Sequence, residues 1–276
     1  MSKPAFDKIA IPHTFEAGSK VDLSKVATGP TESVPFGKKE ARKRIAANAV
    51  EMAELAKRLY AEDKRSILLV LQGMDTAGKD GTIRWVMRGM NPSSCQVTSF
   101  KKPSAEELDH DFLWRCHKAA PRKGNISIFN RSHYEDVLIV RVHSLIPKKQ
   151  WSQRYELIND FEKLLTASGT KVVKCFLHIS KETQRQRLQE RIDIPEKNWK
   201  FNPGDLAERK LWDDYQTAYT DALEKCNTDD SPWHIIPSDK KWFRNLVISE
   251  LLKSVLEDLD PQYPDAAGDW SGMVVE

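Results

Sequence analysis

Two short blocks hold the residues best suited to chemistry. The first is Gly73-Met-Asp-Thr-Ala-Gly78-Lys79. Two glycines followed at once by lysine, after an apolar strand and before a helix, form a loop whose N–H groups turn inward around a phosphate. The helix N-terminus adds a partial positive charge, and Lys79 adds a full one. Gly73, Met74, Thr76, Ala77, Gly78, Lys79, Asp80, Gly81 and Thr82 are the expected phosphate contacts. After the lysine, where Ser or Thr usually ligates Mg²⁺, stands Asp80, expected to point along the helix it opens; the nearest hydroxyl is Thr82. Asp75 lies inside the loop. Phosphates repel a carboxylate there unless a cation bridges them, so Asp75 is the first candidate for metal binding. The competing reading is an Asx turn.

The second block, Phe129-Asn-Arg-Ser-His-Tyr-Glu-Asp136, begins at the end of an expected strand. Ligands of open parallel sheets bind beyond such ends. Arg131 and the two acids that follow it, Glu135 and Asp136, can reach a phosphate and its metal. Asn130, Ser132, His133 and Tyr134 complete a candidate nucleotide-binding set with Glu135. No two of the seven histidines stand at metal-ligand spacing.

Together the two blocks, with Arg191-Ile-Asp-Ile-Pro-Glu-Lys-Asn-Trp-Lys200 as a third, make the sequence resemble the polyphosphate kinase 2 family over about residues 35–260. The resemblance implies a P-loop kinase fold with a helical lid, and Mg²⁺-dependent, reversible phosphoryl transfer from inorganic polyphosphate to nucleotides (Mn²⁺ a substitute for Mg²⁺). It assigns Asp75 to metal and catalysis, and Lys79 and Arg131 to phosphate. Glu135 falls where ADP-preferring relatives carry Asn, which places this chain nearer the subgroup phosphorylating both AMP and ADP. Asn130 stands where many relatives carry Asp, which shifts metal binding toward Asp75 and Glu135. Arg187, Arg191, Lys197 and Lys200 supply a row of cations for a polyanion, with Arg191 the catalytic lid arginine. Lys240, Lys241 and Arg244 add positive charge at the last helix. The implied partners are polyphosphate and adenine nucleotides, guanine being the alternative base, and a second copy or more in a homodimer or homotetramer.

These residues need a scaffold. Residues 66–72, 96–100, 125–129, 171–179 and 233–236 read as strands. Residues 38–61, 82–90, 104–118, 149–168, 181–191, 206–227 and 241–259 read as helices, the third opened by a Ser104–Glu107 capping box. Their alternation predicts a three-layer α/β/α sandwich around a five-stranded parallel sheet. Residues 1–37 are expected to form an extended arm over the surface or a neighbouring subunit. Residues 38–260 form the P-loop domain, with a lid at about 185–210, and 261–276 a loose acidic tail in which Trp270 is expected to dock.

Composition narrows the remaining choices. The chain has 276 residues, 40% of them hydrophobic and 30% charged, enough for a packed core. There is no apolar run of membrane-spanning length, and residues 1–20 lack the apolar region of a secretory leader. The net charge of +3 gives no general pull on nucleic acid, and Cys95, Cys116, Cys175 and Cys226 are too scattered for a zinc site. A cytoplasmic enzyme with free thiols, binding neither nucleic acid nor membrane, is expected. An ATP-dependent small-molecule kinase on the same fold is the alternative, and a slowly hydrolysing regulatory P-loop protein a more distant one.

Overall fold

The computed structural model describes residues 14–32, 34–269 and 271–275. In chain order the elements are α1 (Lys38–Glu62), β1 (Ser66–Gln72), α2 (Lys79–Val86), β2 (Cys95–Ser99), α3 (Ala105–Leu108), α4 (Trp114–Ala119), β3 (Ile126–Asn130), α5 (Ile139–Val142), α6 (Lys148–Ala167), β4 (Thr170–His178), α7 (Lys181–Asp193), α8 (Gly204–Lys210), α9 (Trp212–Lys225), β5 (Trp233–Pro237) and α10 (Lys241–Leu259). The five strands are parallel and ordered β2-β3-β1-β4-β5. Every residue of β1 is buried, as a strand covered on both faces by helices requires. The layer of α1, α2 and α10 and the layer of α5, α6 and α9 enclose the sheet. This is the expected three-layer sandwich.

β1 is the centre of the design. Its register aligns Leu71 with Asn130 of β3 and with Cys175 of β4. Chain order reverses on either side of it, so the carboxyl ends of β1 and β3 open a crevice where a ligand fits. The phosphate loop leaves β1 at that point, and the second motif leaves β3 beside it.

The expected strands are present within one residue at each end. Three helices differ. The helix after the loop starts at Lys79 rather than 82, because Gly78 takes φ +103° and becomes its N-cap. The stretch 104–118 is two short helices. The Ser104–Glu107 capping box is present, at 2.8 and 3.2 Å, but Asp111 accepts from the Leu113 N–H at 2.9 Å and opens a second start. The stretch 206–227 breaks at Leu211, between α8 and α9.

The described part of the N-terminal arm lies on its own chain. Val21 and Leu23 are buried, Leu23 O is 3.1 Å from His178 Nε2, and Thr28 Oγ1 donates to Asp239 at 2.6 Å. Trp270, singled out in the tail, lies outside the described residues. Among the described residues no helix is long and apolar enough to cross a membrane.

Candidate active site

The phosphate loop is built on strain that only some residues tolerate. A side chain at Gly73, φ +153°, would meet the carbonyl oxygen of Leu177 at 2.8 Å. Thr76 at φ +65° and Arg131 at φ +62° sit in the left-handed region, unusual for residues with a Cβ, and both face the crevice. The first intrahelical bond of α2 runs from Thr82 N to Gly78 O, so the N–H groups of Lys79, Asp80 and Gly81 have no helical carbonyl. They open onto the cleft as anion donors.

Lys79 is half-buried, with its ammonium on the carbonyl of Gly73 at 2.7 Å. Burial, reinforced by the like charge of Arg131, pushes it down to about 8, although Asp75, Glu135 and Asp80 act the other way. Arg131 bridges the two motifs. Its Nη2 donates to Asp75 at 3.0 Å and its Nη1 lies 3.5 Å from Glu135. Burial works against the Arg131 charge, and Glu135 and Asp75 more than offset it.

Two chambers meet at the Asp75–Arg131 pair, which lines both. The larger, about 630 Å³, runs past Gly78 and Lys79 to Arg187, Arg191, Lys197 and Lys200, and also collects Lys101, Lys102 and Lys241. Cations outnumber acids along it. The smaller, about 190 Å³, is lined by Glu135, Glu208, Tyr215, Tyr219, Gln184 and Ile139. It is acidic and aromatic. A wider groove of about 850 Å³ between the N-terminal arm and α9 shares no residue with the three motifs.

The residues expected to form the lid are engaged with one another. Arg191 donates to Asp205 at 2.8 Å and to Lys200 O at 3.1 Å. Burial, with Asp75 nearby, raises the Asp205 carboxyl. Lys197 pairs with Glu190 at 2.7 Å. Lys200 lies 4.8 Å from the ring of Trp199, which is 77% exposed.

Several sequence expectations need correction. Ser132, His133 and Tyr134 are fully buried and do not line either chamber. Ser132 accepts from Gln72 at 3.0 Å, while His133 and Tyr134 turn into the core onto Glu162, at 3.1 and 2.8 Å. The chain after β3 enters a short helical turn whose inner face carries Ser132, His133 and Tyr134, so Arg131 and Glu135, four residues apart, emerge into the crevice. Thr82 is buried, and its hydroxyl bonds back to Gly78 O at 3.2 Å. The Ala77 N–H is taken by Met74 O at 3.0 Å, so that amide is turned inward. Asp80 does not follow its helix. It reaches across to β3 and accepts from Asn130 at 2.7 Å.

Other contributors carry no motif. Gln184 holds the Asp75 carbonyl at 3.2 Å, and Glu208 accepts from Tyr215 at 2.7 Å. Lys101 and Lys102 follow the end of β2, where the strand-end rule points. Arg244 binds the loop from below, donating to Ala77 O at 2.8 Å.

The donor chemistry suits a hard divalent cation. Mg²⁺ usually keeps several waters and takes one or two carboxylates with substrate phosphates. Asp75 and Glu135 offer two carboxylates flanking one guanidinium. No group of three or more ligating side chains is found among the described residues.

Comparison with known proteins gives this geometry a context. Residues 36–264 match the family model described as polyphosphate kinase 2. An AMP/ADP-polyphosphate phosphotransferase of Meiothermus ruber is 48% identical over 264 residues, 96% of this chain and 99% of the relative. An ADP-polyphosphate phosphotransferase of Rhodopseudomonas palustris is 45% identical over 262 residues, 90% of each chain. The crystal structure of polyphosphate kinase 2 from Arthrobacter aurescens superposes with a TM-score of 0.88 at 41% identity, covering 95% of this chain and 96% of that one. The chain belongs to the polyphosphate kinase 2 family.

Proposed function

We propose that the protein transfers a phosphoryl group from inorganic polyphosphate to AMP and ADP, forming ADP and ATP, and runs in both directions. The observation that carries this is the junction of a long cationic chamber with a short acidic, tyrosine-lined one at Asp75 and Arg131. A polyanion with a charge on every unit fits the first. A nucleotide phosphate with its metal fits the second.

Phosphoryl transfer is mainly positioning and charge stabilisation. Lys79 and the N–H groups opening α2 hold the terminal polyphosphate unit. Arg131 crosses the line between donor and acceptor and spreads positive charge over the group in transit. Arg191, on the lid, adds a second guanidinium when the lid closes and excludes water. Asp75 and Glu135 would hold Mg²⁺, which would supply neutralisation of the phosphate charge. His133 is fully buried and lines neither chamber, so it is not placed as a covalent phosphate carrier. Transfer is direct, from polyphosphate to nucleotide.

The protein acts in the cytoplasm, where its four free cysteines suit a reducing setting. It assembles as a homodimer or homotetramer; Leu157 and Leu164, exposed two turns apart on α6, support an apolar contact. Light scattering of the purified protein tests that assembly. The test of function is ATP formation from polyphosphate with ADP, and with AMP, in the presence of Mg²⁺. ATP-dependent phosphorylation of a small molecule with no use of polyphosphate would favour the small-molecule kinase alternative instead.

A further inference from the structure

Two arginines are buried against the phosphate loop without a carboxylate to match them. Arg187 Nη1 donates to Thr76 O at 2.8 Å and Ala77 O at 3.2 Å, and its Nη2 to Ser238 O at 2.7 Å and Asp239 O at 2.9 Å. Arg244 Nη1 donates to Ala77 O at 2.8 Å, and its Nε and Nη2 to Asn245 Oδ1 at 3.2 and 2.9 Å. Arg244 is only 2% exposed and does not line the cleft. A side chain at Gly78 would collide with its guanidinium. Among the described residues neither arginine forms an ion pair; Asp239 and Glu190 act on Arg187 at longer range. Burial, and then the like charge of Arg187, pushes Arg244 down to about 9.

The local sequence breaks a general rule at the same place. α10 opens with Lys240 as N-cap and Lys241 in its first turn, with Arg244 following and no acid there. Cations at the positive end of a helix dipole are unfavourable. A burial of unmatched charge that violates local preference is the kind of cost found at functional sites.

Peptide geometry supplies the link to the site. A trans peptide points its N–H opposite to its C=O. Tying Ala77 O to both arginines therefore aims the Gly78 N–H away from them, toward the cleft that Gly78 lines. We propose that Arg244 is a positioning residue for phosphoryl transfer, fixing with Arg187 the peptide that presents Gly78 N–H, and that bound polyphosphate supplies the counter-charge this buried pair lacks. The inference deepens the polyphosphate reading and rests on it.

The test compares wild type, Arg244→Met and Arg244→Lys in the full chain. Two readouts are taken: the rise in melting temperature on adding inorganic tripolyphosphate, and kcat and KM for polyphosphate and for ADP. Tripolyphosphate should stabilise the wild type and stabilise Arg244→Met much less. The Met variant should lose about tenfold or more in kcat/KM for polyphosphate, with KM for ADP changed about twofold or less. Arg244→Lys should regain the thermal response but not the full kcat, because an ammonium lacks the planar fork that spans Ala77 and Asn245. A Met variant with an unchanged tripolyphosphate response and unchanged kinetics would overturn the proposal. So would equal losses toward polyphosphate and ADP, the mark of general damage. If the Met variant does not fold, the Lys variant decides: wild-type kcat in it overturns the proposal, and reduced kcat with a preserved thermal response supports it. A wild type that neither responds to tripolyphosphate nor makes ATP overturns the functional reading itself, and the inference with it.

Discussion

Asp75 and Arg131 meet at 3.0 Å across the gap between the loop after β1 and the turn after β3. Their pairing joins two motifs more than fifty residues apart in sequence and marks the line where the basic chamber gives way to the acidic one. Each partner belongs to both sides. In the proposed mechanism that ion pair would hold Arg131 ready for a transferring phosphoryl group and keep Asp75 from repelling the group unopposed.

Replacing Asp75 should therefore do more harm than replacing Asp80. Asp75→Asn removes a charge from the junction and from the expected metal set. Asp80→Asn leaves an amide able to hydrogen-bond Asn130. About tenfold or more loss of kcat, with weakened Mg²⁺ dependence, is expected for Asp75→Asn and a smaller loss for Asp80→Asn. Mg²⁺ titrations of initial rate in both variants check the order. A more sensitive Asp80 would mean that the Asp80–Asn130 pair, not Asp75, is the metal's anchor.

Lys79 gives the site a pH limit. Its ammonium must be charged to hold phosphate, and in the free protein it is pushed down to about 8. kcat/KM reports the free enzyme, so it should fall as one proton is lost above about pH 8 for polyphosphate. Lys79→Arg should carry that limb to higher pH, and Lys79→Ala should cost about a hundredfold or more in kcat. Stability changes with the opposite sign. The unfolded lysine keeps its proton to its ordinary value near 10.5, so between about 8 and 10.5 the unfolded state binds more protons and this group makes folding more favourable as pH rises. Rate profiles and urea midpoints against pH separate the two effects. A polyphosphate kcat/KM flat to pH 10 would remove Lys79 as the titrating contact.

The fold was legible because its signals are local. β1 is a continuous apolar run, and Gly73, Gly78 and Lys79 have one common use at the end of such a run. The placement of Arg131 and Glu135 in the crevice was readable for a related reason: they follow a strand end, where side chains emerge from the sheet. His133 and Tyr134 were misread because sequence adjacency does not say which way a short helical turn faces. Their partners, Glu162 and Lys174, lie on α6 and β4 and are supplied by tertiary structure alone. Lys174 sits on a buried strand, where a charge reads as surface until its counter-ion is known. Arg244 was visible as a cation at the start of a helix, but its hold on Ala77 spans most of the chain.

The buried network under the second motif should prove costly to break. Lys174 Nζ is 2.6 Å from Glu162 Oε2 and 3.1 Å from the Tyr134 hydroxyl, and both charged residues are buried. Burial alone would raise Glu162, but Lys174 brings it below the usual carboxylate range. Glu162→Gln leaves the ammonium without its counter-charge, at about 3–5 kcal/mol of stability. Glu162→Leu combined with Lys174→Met should recover much of that loss, since no bare charge remains. Urea unfolding of the single and double variants checks this. A single variant as stable as wild type would show that water or a neighbouring carbonyl carries the charge.

Arg191 should act on rate more than on binding. At rest its guanidinium is committed to Asp205, so the lid must exchange that partner for phosphate. Arg191→Ala is expected to lower kcat about a hundredfold or more while changing KM for polyphosphate less, because Lys197, Lys200 and Lys101 still line the chamber. Steady-state kinetics with polyphosphate varied at saturating ADP measure the split. A large rise in KM with kcat preserved would make Arg191 one more cation of the groove.

Glu135 offers the sharpest test of acceptor choice. It lines the acidic chamber with Asp75 and Glu208, and its carboxylate stands 3.5 Å from Arg131. AMP brings one phosphate fewer than ADP, and so one metal-bridging group fewer. A carboxylate on the acceptor side can make good that deficit by helping to hold Mg²⁺, which an amide does poorly. Glu135→Asn should therefore lower kcat/KM for AMP about tenfold more than for ADP. The competing account makes Glu135 a brace for the Arg131 guanidinium. Arg131 serves the transferring group whichever nucleotide accepts it, so a brace predicts equal proportional losses. Each ratio of kcat/KM converts directly into lost transition-state stabilisation, which places the two accounts on one scale. Glu135→Gln refines the answer. It has the length to reach Arg131 but not the charge, so a brace would be partly restored and a metal-holding carboxylate would not. Equal losses in Glu135→Asn with recovery in Glu135→Gln would end the acceptor-selection account. A selective AMP loss shared by both variants would fix Glu135 as the residue that admits AMP.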